Sequence, residues 1–130
     1  MYELRIYDFK NEDRRKIYTL LCDAYRIPFP RPSDYALIFE GYTEISPSDF
    51  YALPYSKYTF DLFGRDVPLY GVVEISTDME HSYFFNTGVS FLNSVLTVVD
   101  PEEFIRNARA NADGRETTIL SPPTATPNKR

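Results

Sequence analysis

His81 is the single histidine of the chain, and Asp78 and Glu80 precede it in the same polar stretch. Two carboxyls and an imidazole this close can surround a divalent ion, and an imidazole beside an acid can move protons at neutral pH. A metal centre needs further ligands, and no second cluster at ligand spacing occurs elsewhere in the sequence. An exposed turn histidine beside two acids is the simpler reading. Cys22 is also single. A nucleophilic thiol requires an adjacent base or a positive local field, whereas Leu20, Leu21 and Ala24 around it indicate packing as a small hydrophobe. Asp61 with Asp66, and Glu102 with Glu103, are pairs able to do acid/base work, but in so acidic a stretch such pairs arise by coincidence. The five glycines stand singly at 41, 64, 71, 88 and 114, so neither a phosphate-cradling loop nor a dinucleotide fingerprint can be assembled. The expectation is a chain with no catalytic residue, no cofactor and no metal.

The carboxyls are better read together than in pairs. From Pro32 to Glu103 the chain holds twelve Asp and Glu against two cations, Lys57 and Arg65, interleaved with seven tyrosines. Residues 1–31 hold seven Lys and Arg against five acids, and residues 104–130 hold five against two. The formal charge of −5 is thus an acidic middle between basic ends. Such a middle repels phosphate, which argues against direct binding of nucleic acid or an anionic membrane, and it suits a basic protein partner. The eleven Tyr and ten Phe, with no Trp, serve both a core and an interface, because tyrosine joins a large apolar body to a polar tip.

These side chains need elements to hold them. Tyr2 to Asp8 alternates as a half-buried strand, with Tyr2, Leu4 and Ile6 on one face and Glu3, Arg5 and Tyr7 on the other. Asn11 can cap a helix over about 12–25 whose inward side carries Ile17, Leu20, Leu21, Ala24 and Tyr25, leaving Arg14, Arg15 and Lys16 as a solvated basic run. Prolines at 28, 30 and 32 enforce an extended connector. Tyr35 to Tyr42 reads as a central strand, and Ser46-Pro47 opens a short helix through Leu53. Lys57–Phe63 and Leu69–Ser76 read as a hairpin across Gly64-Arg65-Asp66. Thr77 to Ser82 reads as a loop, Tyr83 to Asn86 as a short strand, and Ser94 to Val99 as a strand by its β-branched content. Asp100-Pro101-Glu102-Glu103 must start a helix, over about 101–112, that ends near Asp113-Gly114. Strands between two packed helices indicate a single α+β domain over residues 1–120, with a mostly antiparallel sheet of four to six strands. Residues 121–130 lack the apolar content to order and read as a flexible tail.

Glu3-Leu4-Arg5-Ile6-Tyr7-Asp8, followed by Asn11-Glu12-Asp13 opening a helix with Ile17, Leu20 and Leu21, resembles the first strand and helix of the GNAT acyltransferases. Val98-Val99-Asp100-Pro101-Glu102 looks like the end of their fourth strand. The resemblance implies an acetyl-CoA site in which a glycine-rich loop holds the pyrophosphate on a helix N-terminus. Here Glu102, Glu103 and Phe104 stand in that place, with no glycine before Gly114, and the acids would repel the cofactor. Tyr2 to Tyr7 also looks like the opening strand of NIPSNAP-type α+β barrel proteins.

Acids interleaved with tyrosines can imitate the surface that a nucleic-acid-binding protein reads. The sequence therefore points to a small, non-catalytic acidic protein that inhibits or neutralises a basic partner, such as a nuclease, in the manner of viral anti-defence or toxin-immunity proteins. The residues expected to carry it are Asp34, Glu40, Glu44, Asp49, Tyr51, Tyr55, Asp61, Asp66, Asp78 and Glu80. The alternatives are a homo-oligomeric structural protein, since exposed Tyr and Phe also suit self-association, and a GNAT-like domain without its pyrophosphate loop. A lone cysteine and charges scattered through the first twenty residues suggest a reducing, cytoplasmic location without a signal peptide.

Overall fold

The computed structural model describes residues 1–24, 26, 30–55, 67–93, 95–112 and 118–119. Among the described residues six strands form one sheet: β1 (Tyr2–Phe9), β2 (Tyr35–Thr43), β3 (Val72–Ser76), β4 (His81–Asn86), β5 (Phe91–Asn93) and β6 (Thr118–Ile119), in the order β5-β4-β3-β1-β2-β6. Every pairing is antiparallel except that of β2 with β6. Helices α1 (Asp13–Asp23), α2 (Pro47–Ala52) and α3 (Pro101–Asn111) complete a single α+β domain, as the sequence indicates. Among the described residues no helix is long and apolar enough to cross a membrane.

β1 is hydrogen-bonded on both sides and covered on both faces. Leu4 and Ile6 join Ile38, Phe39, Val73, Ile75 and Phe84 in a core closed by Phe50 of α2. Tyr7 and Phe9 join Leu37, Val72 and Phe85 in a second core, closed by Tyr18 of α1 and by Phe104 and Ala108 of α3. The alternation of β1 is therefore not a boundary between protein and water. Its more polar face is buried too, and Arg5 is tolerated there because it is matched by acids.

α1 begins where the sequence indicates, with Asn11 Oδ1 accepting from the Asp13 amide at 3.0 Å, but it is rolled about its axis. Tyr18 is its buried residue, while Ile17 and Leu20 are 42 % and 69 % exposed. The cause lies in two acids beneath the helix. Asp8 and Asp34 are buried, and Arg15 Nη2 meets Asp8 at 2.8 Å while Arg14 Nε meets Asp34 at 3.4 Å. Leaving those carboxyls unpaired in the interior would cost several kcal/mol, more than burying Ile17 and Leu20 returns. The basic run thus faces inward at Arg14 and Arg15, rather than being wholly solvated.

Three other expectations are corrected. His81 and Ser82 are strand, not loop, because β3 pairs with β4 through the tight Thr77–Glu80 turn, with Ser76 opposite His81. Leu69 and Tyr70 form a turn, and β3 starts at Val72; the first arm of the expected hairpin, 57–63, and its connection, 64–66, lie outside the described residues. Residues 95–99 are not strand, because Val95, Leu96 and Val98 pack their side chains on the α1–α3 core as irregular chain; Ser94 lies outside the described residues. This also removes the strand likened to the end of the GNAT fourth strand. The expected tail, 121–130, lies outside the described residues.

The helix starts follow their capping residues. Ser46 Oγ accepts from the Asp49 amide at 3.2 Å, and Asp100 Oδ1 accepts from the amides of Glu102 and Glu103 at 3.1 and 3.3 Å. At Gly71, an added Cβ would lie 2.8 Å from the Tyr7 carbonyl oxygen, so only glycine lets this turn approach the central strand.

Tyr18 ties α1 to the start of β2: its hydroxyl donates to Asp34 at 3.1 Å and accepts from the Arg31 amide at 3.3 Å. Burial, helped by the Asp34 charge, pushes this phenol up to about 12. A phenol with a folded-state value above its unfolded value contributes stability that is complete below about pH 10 and disappears as pH rises through about 12. Tyr18→Phe is expected to cost about 1 kcal/mol at neutral pH and to remove on the order of 2 kcal/mol from the alkaline fall in unfolding free energy. Denaturant titrations at stepped pH check both.

Candidate functional site

One rung of the sheet carries an ionic row across three strands. The register sets Glu40 of β2 opposite Arg5 of β1, Arg5 opposite Glu74 of β3, and Glu74 opposite Tyr83 of β4. A bulge makes this possible. Ile6 pairs with Phe39 but Tyr7 pairs with Leu37, so Ile38 is extra. Leu37 and Glu40 consequently share the face beneath α3, which regular alternation would forbid.

Arg5 Nε meets Glu40 at 2.8 Å, Nη1 meets Glu74 at 3.5 Å and Nη2 meets Glu3 at 3.3 Å. Arg109 of α3 reaches Glu40 at 2.7 Å from above. Glu74 is fully buried and takes the Tyr7 hydroxyl at 2.5 Å and His81 Nδ1 at 2.6 Å. Although burial works against its charge, Arg5 is held above the ordinary arginine range by Glu74 and Glu40. Tyr7 and Tyr83 are raised by burial and then by the Glu74 charge. Among the described residues, the buried Ser76 Oγ and Tyr83 Oη have no hydrogen-bond partner.

The His81–Glu74 contact fixes an imidazole through Nδ1, the arrangement by which a carboxyl orients a general base. Among the described residues, Ser76 faces His81 across the ladder but is 1 % exposed and makes no bond to the ring. What the row does is hold four strands and α3 in one register. Glu74 escaped the sequence reading, although its signal was present: an acid inside Val72-Val73-Glu74-Ile75 demands a cation, and Arg5 inside Leu4-Arg5-Ile6 is the matching one.

The ten residues singled out from the sequence divide into groups. Asp34 is buried against Arg14 and Tyr18, and Glu40 is held by Arg5 and Arg109, so neither is presented outward as expected. One reason covers both: the arginines of the chain ends fold onto the acids of the middle. Asp61 and Asp66 lie outside the described residues. Tyr55 is half-buried, with its hydroxyl donating to Asn86 Oδ1 at 2.6 Å. Glu44, Asp49, Tyr51, Asp78 and Glu80 are exposed.

The topology brings several of the exposed group together. Tyr2 pairs with Thr43, Glu3 with Ser76 and Ser76 with His81, so Glu44, Asp78 and Glu80 lie just beyond strand termini at one end of the sheet. α2 closes over the same end. Between α2 and the β3–β4 turn lies a cleft of about 550 Å³. Its floor is Phe84, its walls include Tyr51 and Glu80, and Ser46, Ser48 and Ser82 add hydroxyls. The rings of Tyr51 and Phe84 stack at 6.1 Å and 29°. Glu44, Asp49, Asp78 and Glu80 make no ion pair among the described residues. The cleft thus offers an aromatic wall, hydroxyls and the Glu80 carboxyl, a set suited to a cationic side chain. No family model, no curated protein and no solved structure matches this chain.

Arg5→Met is expected to destabilise the protein by about 3–5 kcal/mol, because it strands Glu74 and Glu40 without their shared cation. Glu74→Gln, which keeps the shape and one acceptor, is expected to cost less than half as much. Urea unfolding of the two variants side by side gives the comparison, and equal costs would contradict the central role of Arg5.

Proposed function

We propose that this chain is a small acidic binding protein, without catalysis, that captures a basic segment of a partner protein at the Tyr51–Glu80 cleft. One observation carries the reading. The fold neutralises Asp8, Asp34 and Glu40 with its own arginines, yet among the described residues it leaves Glu80 without an ion pair in an aromatic-floored opening, and likewise Glu44, Asp49 and Asp78 within two residues along the chain from its lining. A lysine or arginine entering there would lie against the Tyr51 ring with its head toward Glu80, with Glu44, Asp49 and Asp78 adding a longer-range pull. The same charge disfavours phosphate, so the partner is a protein rather than a nucleic acid or an anionic membrane. Neutralisation of a nucleic-acid-binding or nuclease-type protein, as in anti-defence or toxin immunity, is the role that fits this chemistry. The lone, half-buried Cys22 fits a cytoplasmic setting for it.

A fluorescent peptide rich in lysine and arginine is expected to bind at low salt and to weaken steeply as salt rises. Glu80→Lys combined with Asp78→Lys should weaken it by about tenfold or more, since two attractive charges become repulsive. A neutral peptide of equal length is the control and should not bind. Binding that ignores both salt and the double substitution would overturn the reading.

A further inference from the structure

The fold uses only one side of α1. Arg14, Arg15, Tyr18 and Cys22 lie toward the sheet, whereas Asp13, Lys16, Ile17, Leu20, Asp23 and Ala24 are all exposed. Those six recur at intervals of three and four residues, which aligns them in one stripe along the helix. The stripe is apolar at its centre and charged at its ends. On an exposed helix face, polar residues would be expected at the centre as well.

The charges show what the stripe matches. Asp13, Lys16, Asp23 and Arg26 make no ion pair among the described residues. Arg26 stands just beyond the helix, where its amide donates to the Leu21 carbonyl at 2.9 Å. When two copies of a helix pack antiparallel, positions sharing one midpoint face each other. Asp13 with Arg26, and Lys16 with Asp23, share the midpoint between Thr19 and Leu20, and each pair is opposite in sign. Leu20 sits beside that point, flanked along the stripe by Ile17 and Ala24. An isologous contact makes every interaction twice and therefore requires this self-complementarity. A uniformly basic or acidic partner would be repelled by part of the stripe.

We infer that α1 is a homodimer contact, in which the outward stripes of two copies pair antiparallel about a two-fold axis beside Leu20, with Lys16 of each copy meeting Asp23 of the other. One helix pair buries less than a standard interface, so the association is weak and depends on concentration. α1 follows the end of β1, whereas the acidic cleft lies at its beginning, so both clefts stay open in the dimer.

Sedimentation of the full chain over a micromolar-to-millimolar series tests this, with circular dichroism confirming that each variant folds. Leu20→Glu should weaken dimerisation by about tenfold or more, since the axis would hold two unpaired charges. Lys16→Asp and Asp23→Lys should each weaken it by about fivefold, and the double variant should recover to within about threefold of the starting chain, because both exchanged pairs again attract. A monomer at every concentration would overturn the inference. So would a dimer indifferent to Leu20→Glu, or a double variant that folds but does not recover.

Discussion

A guanidinium on the central strand is the constraint around which this sheet is arranged. Arg5 is 8 % exposed and faces Glu3, Glu40 and Glu74 at once. A buried carboxyl costs several kcal/mol unless it is matched in charge and hydrogen-bonded, and the same holds for the cation. Each partner therefore requires the others. Glu74 needs Arg5, Tyr7 and His81; Glu40 needs Arg5 and Arg109; and Arg109 brings α3 onto β2. Hydrophobic contacts supply most of the driving force, but they tolerate sliding. The ionic row does not, because a shift of one residue would turn its members to opposite faces.

The same logic governs α1. A helix wheel drawn from apolar residues alone turns Ile17 and Leu20 inward, yet the buried acids Asp8 and Asp34 make Arg14 and Arg15 the better inward residues. Charge segregation along the chain is thus partly cancelled in space. The arginines of the first helix and of α3 return to carboxyls of β1, of β2 and of the turn before β2. The net charge of a segment is a poor guide to the charge of a surface when the fold can bring the complement from elsewhere in the chain.

Local signals are legible in the sequence where local physics decides. The caps at Ser46 and Asp100, the start of α1 at Asn11, and strands at Tyr2 and Tyr35 all depend on neighbouring residues. The α+β class follows from their order. What escapes depends on distant partners. Residues 95–99 have the composition of a strand but pack Val95, Leu96 and Val98 on the α1–α3 core instead, and His81 looks like a loop residue until Ser76 is set opposite it. Of the candidate site, Tyr51 and Glu80 are legible and share a cleft, while Phe84 beneath them and the Glu74 network beside them are not. Asp34 and Glu40 could not be recognised as internal without knowing that Arg14, Arg5 and Arg109 would reach them.

The extra residue at Ile38 carries a consequence for how such a chain can vary in length. With it, β2 sends Phe39 into the core under α2 and Glu40 to the opposite side. Deleting Ile38 would restore regular alternation, with Leu37 opposite Tyr7, Phe39 opposite Ile6 and Glu40 still opposite Arg5, so the inward side chains would keep their faces and only the core contacts of Ile38 would be lost. The residue count of this strand can therefore fall by one at the bulge without breaking the ionic row, a change that regular alternation does not allow within its evenly paired stretches.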